Sequence, residues 1–103
     1  MKTLLLRTTG QVHCIHIDSI IRIEASSNYS KVYCYDEALP IVSAKVLGWF
    51  EEKLPAEFFS RIHRTHLINK KYVVSVQNSN AVLRSGEQIS ISRRKKKTWL
   101  ENF

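Results

Sequence analysis

Apolar and polar residues alternate with a period of two along most of the chain, the spacing of side chains on the two faces of a β-strand. Thr3 to Thr8 and Gln11 to His16 are two such runs, and the turn pair Thr9-Gly10 between them predicts a hairpin. Ile20 to Ala25 and Lys31 to Tyr35 predict two more strands around the polar loop 26–30. Leu39 to Val42 follows, with Pro40 placing it near a sheet edge. Later come Tyr72 to Val76, Ala81 to Arg84 and Gln88 to Ile91, separated by the turn chemistry of Asn78-Ser79-Asn80 and Ser85-Gly86.

One segment keeps a different period. Ser43 is placed to cap a helix from Ala44 to Leu54, which Pro55 ends. Val46, Leu47, Phe50 and Leu54 form its apolar stripe, and Glu51 and Glu52 lie on its wetter side. A short C-terminal helix is predicted after Ser92, with Trp99, Leu100 and Phe103 as its packing side. The expected fold is mainly β: a sandwich of antiparallel sheets with one central helix and a short C-terminal one. At 103 residues, the chain 1–103 is read as a single domain, because a second core would have too little to bury.

Composition adds limits. With 44% hydrophobic and 24% charged residues the chain is an ordinary globular one rather than a disordered one. No apolar run approaches the roughly 20 residues of a membrane helix, and residues 1–20 lack a signal-peptide pattern. The chain is therefore read as soluble and cytoplasmic. Cys14 and Cys34 lie in alternating apolar segments without CxxC spacing, and both are expected as buried, reduced core thiols.

Charge changes the picture once it is mapped. The net charge is +7, but residues 1–60 hold six basic and seven acidic side chains and net −1. Residues 61–103 hold ten basic side chains against Glu87 and Glu101, a net of +8. So the whole excess sits in the last two-fifths of the chain. A clustered excess of this kind marks a binder of polyanions.

Three polar segments collect the candidate chemistry: residues 24–31, residues 61–71 and residues 92–97. Lys, Arg and short hydroxyls satisfy phosphates, while Arg, Asn, Gln or His reaches base edges. The second and third segments carry both kinds densely, and Asn28, Tyr29, Ser30 and Lys31 offer a third contact. The third has five consecutive cations directly after the N-cap Ser92, where the helix dipole disfavours positive charge by a few tenths of a kcal/mol each. A docked phosphate would offset both dipole and charges; a basic tail kept for solubility is the other reading.

Other chemistry is poorly supported. His13, Cys14, His16, His63 and His66 offer too few ligands in one place for a metal, and neighbours in a strand face opposite ways. No nucleophile elbow or Gly-rich phosphate loop is present. The chain is expected to be neither an enzyme nor a cofactor protein.

The order of the segments resembles the LytTR family of DNA-binding domains. The matching blocks are residues 20–25 with Asn28-Tyr29, residues 58–69, the strand-turn-strand around Ser85-Gly86, and residues 89–94. The stretch Phe59 to Asn69, with Arg61-Ile62-His63-Arg64, is the most specific of them. Thr65, His66 and Ser90 stand where Ser, an aromatic and Pro are common. The resemblance implies an elongated stack of β-sheets that reads successive major grooves of a bent promoter duplex from loops. It implies bacterial transcription regulation, as the output domain of a two-component response regulator, with a receiver domain in the full-length protein. By the same alignment Ser30, Arg64 and Arg94 are the base-contacting positions. Asn28, Tyr29, Lys31, His63, Thr65, Asn69, Arg93, Lys95 and Lys96 are backbone or supporting positions. Arg61 and His63 carry a second reading, orientation of the loop. The isolated domain is expected as a monomer and as a dimer on repeated half-sites. The rival function is a basic anionic-surface or protein-interaction module. A membrane binder wants a basic amphipathic helix with exposed aromatics, and the central helix here, with two lysines against two glutamates, carries no net positive charge.

Overall fold

A computed structural model describes residues 2–101. Among these residues ten strands form three antiparallel sheets, accompanied by two α-helices, in a body 41 × 25 × 23 Å. The fold is mostly β, as the alternation predicts. β1 (Thr3–Thr8) and β2 (Gln11–His16) make the first sheet, with Gly10 at the turn in the left-handed region (φ 74°). β3 (Ile20–Ser26), β4 (Tyr29–Cys34), β5 (Ile41–Ser43), β6 (Phe59–His63) and β7 (His66–Asn69) form the central sheet, in the order β5-β4-β3-β7-β6. β8 (Val73–Gln77), β9 (Asn80–Leu83) and β10 (Gln88–Ser90) form the third.

The central sheet separates two cores. On one side Leu4, Leu6, Ile15, Ile23, Val32 and Leu67 pack with Leu47 and Phe50 of α1 (Leu47–Lys53) and with Leu54 directly after it. On the other, Ile62, Ile68, Ala81, Leu83, Ile89 and Ile91 pack around Trp99 of α2 (Arg93–Glu101). The adjacent residues Leu67 and Ile68 point into opposite cores, the two-residue period read in space. Ile20 and Ile23 both face the first core because a register shift between Ile20 and Arg22 breaks the alternation. Arg22 consequently faces the third sheet. There its guanidinium meets Glu87 through two hydrogen bonds of 2.8 and 3.1 Å, meets Glu24 at 2.8 Å, and lies 3.9 Å above the Tyr33 ring. Burial alone would lower its pKa, but these carboxylate hydrogen bonds outweigh that and hold it above its ordinary value.

Several expectations are corrected. Helix α1 begins at Leu47 after an extended Val46, and Ser43 ends β5 instead of capping the helix. The Ser43 hydroxyl accepts the Lys45 N–H at 3.1 Å, a turn contact that competes with helix initiation. Val46 is exposed rather than on the apolar stripe, and Leu39 lies outside β5 on the surface. Cys34 is buried, and burial pushes its thiol pKa up, but Cys14 is exposed. On α2 Trp99 packs inward, Leu100 is exposed, and Phe103 lies outside the described residues. Most of residues 61–71, read as a polar segment, lies in the hairpin β6–β7, which runs from Phe59 to Asn69.

Candidate nucleic-acid interface

Strand register gathers the polar segments at one end of the molecule. β3 and β4 close at Ser26↔Tyr29, with Ser27 left-handed (φ 55°). β3 pairs with β7 at Glu24↔His66, and the Ala25 N–H donates to the Thr65 carbonyl at 2.8 Å. So the turns 27–28 and 64–65 lie at the same edge. The start of α2 joins them: the Ser92 N–H donates to the Ile62 carbonyl at 2.8 Å. The β8–β9 turn joins through Ser79, whose carbonyl accepts from the Ile91 N–H at 2.9 Å and whose hydroxyl meets Lys96 Nζ at 2.9 Å.

A cleft of about 740 Å³ opens between hairpin β6–β7 and the first turn of α2. It is lined by Glu51, Arg61, His63, Arg64, Ser92, Arg94 and Lys95. The hairpin tip is held by its own side chains. Arg61 Nη2 donates to the Arg64 carbonyl at 2.7 Å, and Arg61 Nη1 meets Glu51 Oε1 at 3.2 Å. His63 Nδ1 lies 2.9 Å from the Thr65 hydroxyl and accepts the Thr65 N–H at 3.3 Å. These contacts leave Arg64 exposed at the tip, its guanidinium without a partner among the described residues. Arg94, exposed on the first turn of α2, is in the same state. The Ser92 hydroxyl accepts the Lys95 N–H at 3.3 Å and caps α2, so Arg93, Arg94 and Lys95 stand where the dipole is positive. Two such guanidiniums, one on the braced hairpin tip and one on the helix, with further cations beside them, can hold phosphate oxygens or the acceptor pair of a guanine edge.

The positions singled out in sequence separate here. Arg64, Thr65, His63, Arg93, Arg94, Lys95 and Lys96 come together, with exposed Asn28 and Tyr29 at the neighbouring turn and half-buried Lys31 beside it. Ser30 does not join them. It is 0% exposed, and its hydroxyl donates to the Lys45 carbonyl at 2.8 Å, fixing the turn into α1 from within. A side chain in that position is withdrawn from any base edge. Asn69 is also buried: it donates to the Ile20 carbonyl at 2.9 Å and accepts from the Lys71 N–H at 3.1 Å. Its support is to the sheet, at a distance from the cleft. Sequence reading missed Glu51, whose placement depends on how α1 docks, and Ser79.

His66 sits under this surface, its ring 5.6 Å from that of His63. Burial, with smaller contributions from Arg22 and His63, lowers its pKa despite the opposing charges of Glu24 and Glu87. Its buried Nδ1 has no hydrogen-bond partner among the described residues. The fold therefore favours the neutral ring, and the unfolded chain takes up the proton first. Stability should fall as pH drops from the ordinary histidine value of about 6.5 toward the lower value of His66. Thermal melts from pH 8 to 5 should show this slope, and His66→Phe should flatten it; an equal slope in both proteins would place the effect elsewhere.

The LytTr DNA-binding domain family matches residues 10–103. The fold is similar to that of the LytTr DNA-binding domain of a putative methyl-accepting/DNA response regulator from Bacillus cereus. That likeness has a TM-score of 0.81 at 20% identity and covers 99% of this chain and 96% of the other. In sequence the chain is similar to the sensory transduction protein LytR of Staphylococcus saprophyticus, 25% identical over 77 residues. The match takes in 75% of this chain but 30% of that relative, so the chain spans under a third of its length. No described helix is long and apolar enough to cross a membrane. With nearly its whole length matched, the chain belongs to the LytTr DNA-binding domain family.

Proposed function

We propose that this domain is the output module of a bacterial response regulator, which reads promoter DNA sequence-specifically by placing Arg64 and Arg94 against base edges in the major groove. The observation that carries this is the pair of guanidiniums on one cleft, without partners among the described residues, one on a braced hairpin tip and one on a helix, and each beside further cations. Arg is the commonest specific reader of guanine, through O6 and N7. Asn28, Tyr29, Lys31, Thr65, Arg93, Lys95 and Lys96 act on the phosphates or support those that do. A longer relative of signal-transduction type supports a receiver domain as partner within the full-length protein. Specific single modules of this size cover about 600–1,000 Å² on DNA and bind modestly alone. Two copies on repeated half-sites therefore supply the affinity, the second contact being effectively intramolecular once the modules are linked.

Selection from a random duplex library should return a preferred half-site. A dimerised fusion should then bind two half-sites separated by whole helical turns far more tightly than one. Inserting about five base pairs, half a turn, should abolish that gain by rotating the second site to the opposite face. Gel-shift titration of the two duplexes decides it, and equal affinities would end the two-copy, one-face reading.

A further inference from the structure

The cationic cleft has one acidic member. Glu51 lines it together with Arg61, His63, Arg64, Arg94 and Lys95. Its backbone is firmly mounted, since Leu47 and Phe50 bury the other side of α1 in the first core and Leu54 anchors the end of the helix there. An acid at this place repels the phosphates that the surrounding cations attract. As a source of stability it is weak, because an ion pair with a half-exposed carboxylate contributes little in water. Its geometric effect is more specific. One branch of the Arg61 fork is taken by Glu51 at 3.2 Å, and the other by the Arg64 carbonyl at 2.7 Å. Arg61 is thus occupied within the protein, while the neighbouring Arg64 and Arg94 keep free guanidiniums.

We propose that Glu51 is a specificity-determining residue, which holds Arg61 on the Arg64 carbonyl and away from DNA phosphates. The proposal rests on the DNA-reading function above. Specificity is a difference of affinities, and a phosphate contact strengthens right and wrong sequences alike. A guanidinium released into the cleft would bind the nearest phosphate, and it would also stop fixing the backbone that aims Arg64. Glu51 prevents both. Arg61 is on this view a positioning residue and Glu51 the group that keeps it so.

The test uses the 103-residue chain, with Glu51→Gln, Arg61→Gln and the double variant. Fluorescence anisotropy is followed on the library-selected duplex and on a scrambled duplex from 50 to 200 mM salt. Glu51→Gln should tighten scrambled-duplex binding roughly 3–10-fold and steepen its log–log salt slope by about 0.9, one added phosphate contact. The selected duplex should gain less, so that the specificity ratio falls several-fold. In the double variant the scrambled-duplex slope should return to that of the unaltered chain. An unchanged slope and ratio in Glu51→Gln would overturn the proposal. So would a steep slope that persists in the double variant, since Glu51 would then act as a background charge without Arg61. If the unaltered chain binds the two duplexes equally, DNA reading itself fails, whereas the slopes still decide whether Glu51 restrains Arg61.

Discussion

Alanine at Arg94 or at Arg64 should weaken binding to the selected duplex by about 1–3 kcal/mol apiece, roughly 5- to 150-fold, and relax the base preference at one position. Both guanidiniums are exposed and have no partner among the described residues. Removing either therefore breaks nothing inside the protein, and the loss reads directly on the complex. Arg64 has the better-fixed backbone, held through its carbonyl by Arg61; Arg94 has the denser surroundings, with Arg93 and Lys95 on the same helical turn. Because they line one cleft, their losses should not add cleanly. Anisotropy titrations on selected and scrambled duplexes are the measurement. Equal losses on both would show that these arginines touch only phosphate. Ser30→Ala serves as a control: its buried hydroxyl serves the Lys45 carbonyl, so the change should reach stability and leave base preference intact.

Among the polar side chains, the largest effect on stability should come from Arg22. Its side chain is 7% exposed, between Glu24 at 33% and Glu87 at 45%. Breaking a buried ion pair by removing one partner costs about 3–5 kcal/mol where both charges are dry. Here the carboxylates reach solvent, so Arg22→Ala should cost about 2–3 kcal/mol. That is a large share of the 5–15 kcal/mol typical of a whole domain. Arg22→Lys should recover little of the loss. An ammonium cannot span both oxygens of Glu87, reach Glu24 and lie flat on Tyr33 at once. Urea unfolding gives the difference as a shift in midpoint at constant slope. A loss below about 0.5 kcal/mol, the scale of an ordinary surface substitution, would mean that the brace is unimportant.

The strand alternation, the Thr9-Gly10 and Ser85-Gly86 turns and the divided charge were legible because each is a local property of the chain. Hairpin β6–β7 was not visible as a hairpin, for a physical reason. Its turn, Arg64-Thr65, contains no Gly, Asn or Asp, and neither residue adopts a positive φ. The contacts of Arg61 and His63 do the work that turn residues usually do, and side-chain braces leave no short-range signature. The early start predicted for α1 failed because Ser43 looks like a cap in sequence, while pairing of β5 with β4 holds it extended. In the candidate site, Arg64 and Arg94 could be found by charge and order alone. The inward turn of Ser30 could not, since alternation from Tyr29 shows that it faces away from its neighbours but not which face is buried.

The cationic first turn of α2 has a consequence for handling the free domain. Arg93, Arg94 and Lys95 repel one another and the positive end of their helix, and no carboxylate answers them on that turn. Without DNA, anions in the buffer should take that place. Sulfate or phosphate that binds the folded helix start and not the unfolded chain raises the melting temperature by mass action. The same anions compete with DNA. Storage and assay therefore call for opposite buffers, concentrated anion to keep the protein folded and dilute salt to let it bind.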